Sequence, residues 1–141
     1  MPDLVPGAEI APLAKTIYQR ALAEVVFGKD SIHNNDYTRD AGYPGALVSA
    51  YVLAGYMSEP MVRLFGESWF VSGKIALSFI GKGVQQGDKV TIGGRVTEVE
   101  PEAGGLRVSL ELWMEKAAGE RPVLGRASGL LAPTAPRPAP A

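Results

Sequence analysis

The sequence contains no cysteine and only one histidine, His33, among its 141 residues. The absence of cysteine excludes disulfides, thiolate nucleophiles and thiolate-bound metals. An excess of charge of either sign is also lacking, because 14 lysine and arginine residues are balanced by 15 aspartate and glutamate residues. Without a basic stripe to neutralise a phosphate backbone, nucleic acid is not an expected partner.

Long apolar runs are missing as well. No run approaches the roughly 18 residues that a membrane-spanning helix needs, and residues 1–10 do not form a charged-then-apolar leader. We therefore expect a soluble, cytoplasmic protein without membrane contacts. The chain has 46% apolar and 21% charged residues, which is typical of one globular domain with a full core. Proline-rich ends predict an extended segment at 1–14 and a disordered tail at 132–141 around a single domain at 15–131.

A helix without charged residues is predicted at 45–58. Pro44 precedes it and Pro60 follows it. Because proline lacks a backbone N–H, Pro44 favours the start of a helix and Pro60 favours its end. A helix that is apolar on all sides must be surrounded by other parts of the protein. We therefore expect this helix to be enclosed by a sheet.

Four strands are predicted after the helix. The first runs from Trp69 to Ile80, and the second follows a turn at 85–88 and includes Val90, Ile92 and Val96. The third follows a turn at 102–105, and in it apolar and polar residues alternate. Its apolar face consists of Leu106, Val108, Leu110, Leu112 and Met114. The fourth runs from Val123 to Leu131. Upstream of the helix, residues 15–27 carry two signals, because 16–18 favour a strand and 20–24 favour a helix. Of the two we expect a strand that runs into a turn at Gly28.

An apolar helix enclosed by a long antiparallel sheet is the hot-dog architecture, an α+β fold. The stretches 32–37 and 41–45 resemble the active-site loop and helix entry of the MaoC-like dehydratases, which include the R-specific enoyl-CoA hydratases. The stretches 84–91 and 94–99 resemble that family's Pro-Gly-Asp turn between two strands. The resemblance covers about residues 15–131.

The resemblance implies a reversible addition of water to the α,β double bond of an acyl thioester, carried on coenzyme A or an acyl carrier protein, with no metal or other cofactor. His33 would then move protons, because the pKa of imidazole lies near neutrality. The backbone N–H of Ala50 would hold the thioester oxygen. Four further residues are expected to contact the substrate: Tyr37, Tyr43, Gly45 and Ser49.

The chain departs from the family at its catalytic carboxylate. The family's aspartate stands five positions before the histidine, where this chain has Gly28. Asp30 is the first candidate to replace it, since a residue three positions away on a turn can meet the imidazole; Asn35 and Asp36 are further options. Each of these polar residues can also be a simple turn or cap residue. The family's helix glycine is replaced by Ala50, but a backbone N–H does not depend on the side chain.

Two other functions are compatible with the same fold. The missing aspartate is compatible with a non-catalytic or half-catalytic subunit that pairs with a competent MaoC-like partner. A thioesterase would instead use a carboxylate such as Glu59 or Asp36 to activate water. In each case the resemblance implies a homodimer or a hot-dog heterodimer that joins sheets edge to edge, because an unpaired edge invites aggregation.

Small residues are a further feature of the predicted sheet and helix. They occur on the last strand and in the helix, at Gly125, Ala127, Gly129, Ala50 and Ala54. Such residues either widen a pocket for a bulky or cyclic acyl group or permit close packing.

Overall fold

The computed structural model describes residues 4–18 and 47–133. Within these ranges one antiparallel sheet has the strand order β1-β3-β4-β5-β2. The strands are β1 (Leu13–Thr16), β2 (Lys74–Phe79), β3 (Lys89–Glu102), β4 (Gly105–Lys116) and β5 (Val123–Leu131). The described part of the chain between β1 and β2 contains two helices, α1 (Ala50–Phe65) and α2 (Ser68–Ser72). The predicted α+β arrangement of a helix and a long antiparallel sheet is confirmed.

The core lies between α1 and one face of the sheet. Strands β3, β4 and β5 are the longest of the sheet. Their side chains alternate between this face and the outer face, as the period of two predicts. The buried apolar side chains of the sheet are Val90, Ile92, Val96, Val108, Leu110, Leu112, Met114, Val123 and Ala127. A bulge between Val96 and Glu98 shifts the register of β3 against β4. This shift leaves Val99 opposite Val108 and keeps the apolar residues on the core side.

The bounds predicted for the central helix are wrong at both ends. The helix begins at Ala50, after the N-cap residue Ser49, because Leu47 and Val48 bond instead to the loop before β3. It continues through Pro60 to Phe65. A proline inside a helix costs about 3 kcal/mol. Burying Met61 and Phe65 beyond it contributes about 1.5–3 kcal/mol for each side chain, which offsets that cost.

The helix is also not buried on all sides. The side chains that contact the core recur at helical spacing, at Leu53, Met57, Pro60, Met61 and Phe65. On the opposite side Tyr51 is 88% exposed. The lack of charge in the first half of α1 therefore does not reflect complete enclosure, because α1 covers only one face of the sheet.

The strand predicted from Trp69 to Ile80 begins only at Lys74. The preceding residues form α2, and the reason lies at the end of β5, where β2 no longer pairs with it. There the Ser68 hydroxyl donates to the Leu130 carbonyl, and the Ser72 hydroxyl accepts from the Leu130 N–H at 3.0 Å. The two hydroxyls thus satisfy backbone groups that a longer β2 would otherwise bond. Trp69 therefore lies on α2 and not on β2, and its buried ring stacks on that of Phe65 with the ring centres 5.8 Å apart.

The outer face of the sheet carries charged residues and one tryptophan. The Trp113 ring lies under the Arg121 guanidinium at 4.4 Å and near that of Arg95 at 5.9 Å. Its neighbour on β3 is Gly93, where a Cβ atom would lie 2.6 Å from the indole nitrogen. Glycine therefore provides the space in which the indole lies flat on the sheet. This arrangement explains why a tryptophan interrupts the polar side of β4.

Candidate active site

The N-terminus of α1 is held by Ser49. This residue has extended backbone angles (φ −66°, ψ 150°), and its hydroxyl accepts a hydrogen bond from the Val52 N–H at 3.4 Å. Its carbonyl accepts from the Leu53 N–H at 3.1 Å. Ser49 is only 3% exposed, so its side chain lies inside the protein as a helix cap. Its predicted contact with a substrate stays a prediction.

The first two amides of α1 have no acceptor in the described residues. A helix leaves its first N–H groups without intrahelical partners, and the Ser49 hydroxyl satisfies the one at Val52. The N–H groups of Ala50 and Tyr51 bond to no acceptor within residues 4–18 and 47–133. Both residues are exposed, and the first turn of α1 contains no acidic side chain. The partial positive charge of the helix end is therefore available to an oxygen that carries negative charge.

The turn at 84–88 fixes where the helix begins. The Val48 N–H donates to the Val84 carbonyl at 2.7 Å, and Leu47 forms a β-bridge with Gln85. The turn is itself rigid, because the Asp88 carboxylate accepts from the Gln85 N–H at 2.9 Å and pairs with Lys116 at 3.1 Å. From the sequence, this turn was predicted only to connect two strands. The structure shows that it also positions the N-terminus of α1.

The same turn holds the end of the N-terminal strand. The Ile17 N–H donates to the Asp88 carbonyl at 2.9 Å, and the Gly87 N–H donates to the Ile17 carbonyl at 2.8 Å. Residues 19–46 therefore connect two points, next to Ile17 and next to Leu47, that are both bonded to one turn beside the start of α1. Tyr18 is tied to the helix as well, because its N–H donates to the Tyr56 hydroxyl at 3.0 Å.

Most of the predicted site residues lie outside the described residues. These are His33, Asp30, Tyr37, Tyr43 and Gly45, together with Gly28 and the alternatives Asn35 and Asp36. The turn predicted at Gly28 and the helix start predicted at Pro44 also fall in this part of the chain, although α1 itself begins at Ala50. Of the predicted site, the structure places Ser49 and Ala50, which are adjacent at the helix start. The roles of the others stay predictions.

Glu59 is held in an ion cluster. Its carboxylate bonds to the Lys15 ammonium at 2.7 Å and to the Arg63 guanidinium at 3.1 Å. The hydrogen bond from Lys15, together with that from Arg63, holds the pKa of Glu59 below its ordinary value of 4.5. A lowered pKa makes the carboxylate a weaker base, and nine residues of helix put it about 14 Å from Ala50. These observations weigh against Glu59 as the base of a thioesterase.

The small residues of β5 serve close packing. A Cβ atom on Gly129 would lie 3.0 Å from the Phe65 ring, and one on Gly125 would lie 2.6 Å from a methyl carbon of Leu77. Ala127, between them, is 5% exposed. Of the two interpretations that the sequence left open, these glycines therefore support packing of α1 and β2 against β5, and they do not support a widened acyl pocket.

Within the described ranges, no group of three histidine, aspartate or glutamate side chains is placed to hold a metal ion. In the same part of the chain, neither helix combines the length and apolar character that crossing a membrane requires.

No protein-family model and no curated protein matches the chain. Solved structures do match it along nearly their whole length. The (R)-hydratase from A. caviae involved in PHA biosynthesis is 20% identical with a TM-score of 0.68, over 93% of this chain and 99% of that one. The MaoC-like dehydratase from Rhodospirillum rubrum is 15% identical with a TM-score of 0.72, over 94% of this chain and 96% of that one.

A chain of the ChsH1-ChsH2 complex from Mycobacterium tuberculosis is 18% identical to this chain. Its TM-score is 0.68, over 90% of this chain and 98% of that one. The structural neighbours are thus the proteins that the sequence motifs resemble, and the predicted hot-dog fold is confirmed. At these identities the likeness establishes the fold.

Proposed function

We propose that the protein is a hydratase or dehydratase that acts on an α,β-unsaturated acyl thioester of coenzyme A or an acyl carrier protein. The observation that carries the proposal is the pair of amides at Ala50 and Tyr51 that have no acceptor within the described residues, beside the points where residues 19–46 leave and rejoin the described chain. That segment contains the only histidine of the sequence. The presence of hydratases and dehydratases among the structural neighbours supports the same reading.

The reaction needs a base for water, a proton donor for the α carbon and a hydrogen-bond donor for the thioester oxygen. In hydration, a base takes a proton from water while the water oxygen bonds to the β carbon of the substrate. The electron pair of the double bond then moves toward the thioester oxygen, and a proton is delivered to the α carbon. In the proposed site the Ala50 N–H donates to the thioester oxygen as its negative charge grows. His33 and a neighbouring carboxylate, with Asp30 as the first candidate, move the two protons.

Replacement of His33 tests the proposal. The full chain is assayed with a panel of enoyl-CoA compounds by the loss of enoyl-thioester absorbance. We expect His33→Ala to lower turnover about 10²–10⁴-fold, the usual contribution of a general acid or base. Asp30→Asn should lower turnover similarly if Asp30 supplies the carboxylate. The matched control is Glu59→Gln, which changes a carboxylate about 14 Å from Ala50 and should leave turnover unaffected. Unchanged turnover in His33→Ala would reject the assignment.

A second candidate function is supported by Gly28, which stands where the family has its aspartate. In this reading the chain is a non-catalytic or half-catalytic subunit of a heteromeric hot-dog pair. One of the structural neighbours is itself part of a complex of two named proteins, ChsH1 and ChsH2. The activity panel separates the candidates, because a partner subunit shows no turnover alone, whatever residue occupies position 33.

Under either candidate function we propose that the chain joins a second hot-dog domain, and that it does so through β2. Within the described residues, no strand pairs with the outer edge of β2. Because the Ile80 N–H bonds to Pro122 on the β5 side, the alternation of an antiparallel ladder turns the N–H of Phe79 outward. Phe79→Pro should therefore prevent dimerisation, whereas Phe79→Ala, which keeps the N–H, should not. Light scattering that shows a dimer for both variants would exclude this edge.

The cytoplasmic location stays a prediction.

A further inference from the structure

A pocket lies near the C-terminal end of α1, on the side of the helix that faces β1. Its volume is about 210 Å³, and it is lined by the N-terminal segment, β1 and the second half of α1. The walls are apolar: Leu4, Ile10, Leu13, Pro60 and Leu64. Ala11 and Arg63 complete the lining, and both are exposed, so they stand at the opening.

The walls of this pocket are fixed by the fold. The N-terminal segment is bonded to β3, with the Gly7 N–H donating to the Val96 carbonyl at 2.8 Å and the Ile10 N–H donating to the Gly94 carbonyl at 3.0 Å. Pro60 is buried in α1, and Ile10 and Leu13 pack against the core. An apolar cavity of about 150 Å³ accepts a ligand as large as benzene. This pocket is larger and is open to solvent on one side, so a ligand can enter it.

A cluster of charged side chains lies beside the opening. Arg63 lines the pocket, and its guanidinium shares the Glu59 carboxylate with Lys15. Lys15 follows Leu13 by two residues on β1, so both side chains are on the strand face toward α1. Among the described residues, this cluster of two cations and one carboxylate has a net charge of +1, and it reaches the pocket through Arg63. An apolar ligand with a negatively charged end is therefore complementary to this site.

We propose that this pocket binds a medium-chain aliphatic carboxylate, with its tail among the apolar walls and its carboxylate at Lys15 and Arg63. The volume matches a tail of about six to eight carbons, somewhat larger than benzene. The site is separate from the proposed catalytic site, because the fourteen residues of helix between Ala50 and Leu64 span about 21 Å. The proposal does not depend on hydratase activity.

Titration of the full chain with sodium octanoate tests the proposal. Calorimetry measures the affinity, and methyl chemical shifts locate the ligand. We expect shifts at Leu13 and Leu64 and none at the Ala50 amide. 1-Octanol, which has the same chain without the charge, should bind at least tenfold more weakly. Absence of octanoate binding to the wild-type protein, or shifts confined to the first turn of α1, would overturn the proposal.

Variants separate the tail site from the charged site. Ala11→Phe fills the pocket from an exposed position and should abolish binding without disturbing the core. Arg63→Gln should weaken octanoate about tenfold, the factor of one charge-assisted hydrogen bond, and leave octanol unchanged. The matched control is Arg95→Gln, which removes an exposed, ion-paired arginine from the outer face of the sheet and should have no effect. Equal octanoate affinity for wild type and Ala11→Phe would place the ligand elsewhere.

Discussion

The two ends of α1 differ in burial and in hydrogen bonding. At the first turn the helix is capped by one buried serine, and two amides face outward without acceptors among the described residues. In its last two turns the helix is buried through Pro60, Met61 and Phe65, and an ion cluster ties it to β1. The buried end of the helix therefore supplies stability, while the first turn leaves polar backbone groups exposed.

The largest effect should come from the buried end. Phe65→Ala removes a ring that packs against Trp69 and Gly129, and we expect it to lower the free energy of unfolding by about 3–5 kcal/mol. Urea denaturation measures this change. Phe70→Ala is the control, because Phe70 is 76% exposed and its loss should cost under about 0.5 kcal/mol. Similar losses in the two variants would mean that Phe70 is covered in solution.

The next effect concerns the exposed end and follows from the proposed function. Ala50→Pro removes the N–H at the first helical position, where proline is well tolerated, and the extended backbone of Ser49 suits a residue before proline. We expect thioester turnover to fall about 10²–10³-fold, as for loss of one oxyanion donor, with little change in stability. Ala50→Gly keeps the N–H and should retain activity. An active Ala50→Pro enzyme would show that another group holds the oxygen.

The smallest effect concerns the ion cluster. Because the pKa of Glu59 is lowered in the folded protein, its contribution to stability is present above its ordinary value of 4.5 and is lost as the pH falls through the lower folded value. The contribution should be at most about 1 kcal/mol, since the pair is partly exposed. Urea denaturation of Glu59→Gln and wild type should therefore differ at pH 7 and converge in acid.

The matched control for the ion cluster is Glu120→Gln. The Glu120 side chain has no ion-pair partner within the described ranges, and this variant should match wild type at both pH values. A difference between Glu59→Gln and wild type that persists at low pH would indicate a packing role for the Glu59 side chain.

The strands could be predicted from the sequence more accurately than the helix. The period of two over 106–114 and the glycine turn at 102–105 identified β4, and β5 has the predicted bounds. These signals are local, because alternation and turn residues act on neighbouring backbone. The end of α1 was mispredicted because Pro60 is a local stop signal that buried contacts of Met61 and Phe65 outweigh. The strand at 69–80 was shortened by bonds from Ser68 and Ser72 to Leu130, which lies far along the chain.

The candidate site divides in the same way. The hot-dog fold class could be predicted from the alternating strand pattern and the motif resemblance, and the adjacency of Ser49 and Ala50 from their order in the chain. The packed structure was needed to show that the turn at 84–88 holds both Ile17 and Val48, that Lys15 joins Glu59 and Arg63, and that Gly125 and Gly129 serve packing. Each of these depends on contacts between distant parts of the chain. Such contacts form only when the sheet and helix pack, so no local pattern encodes them.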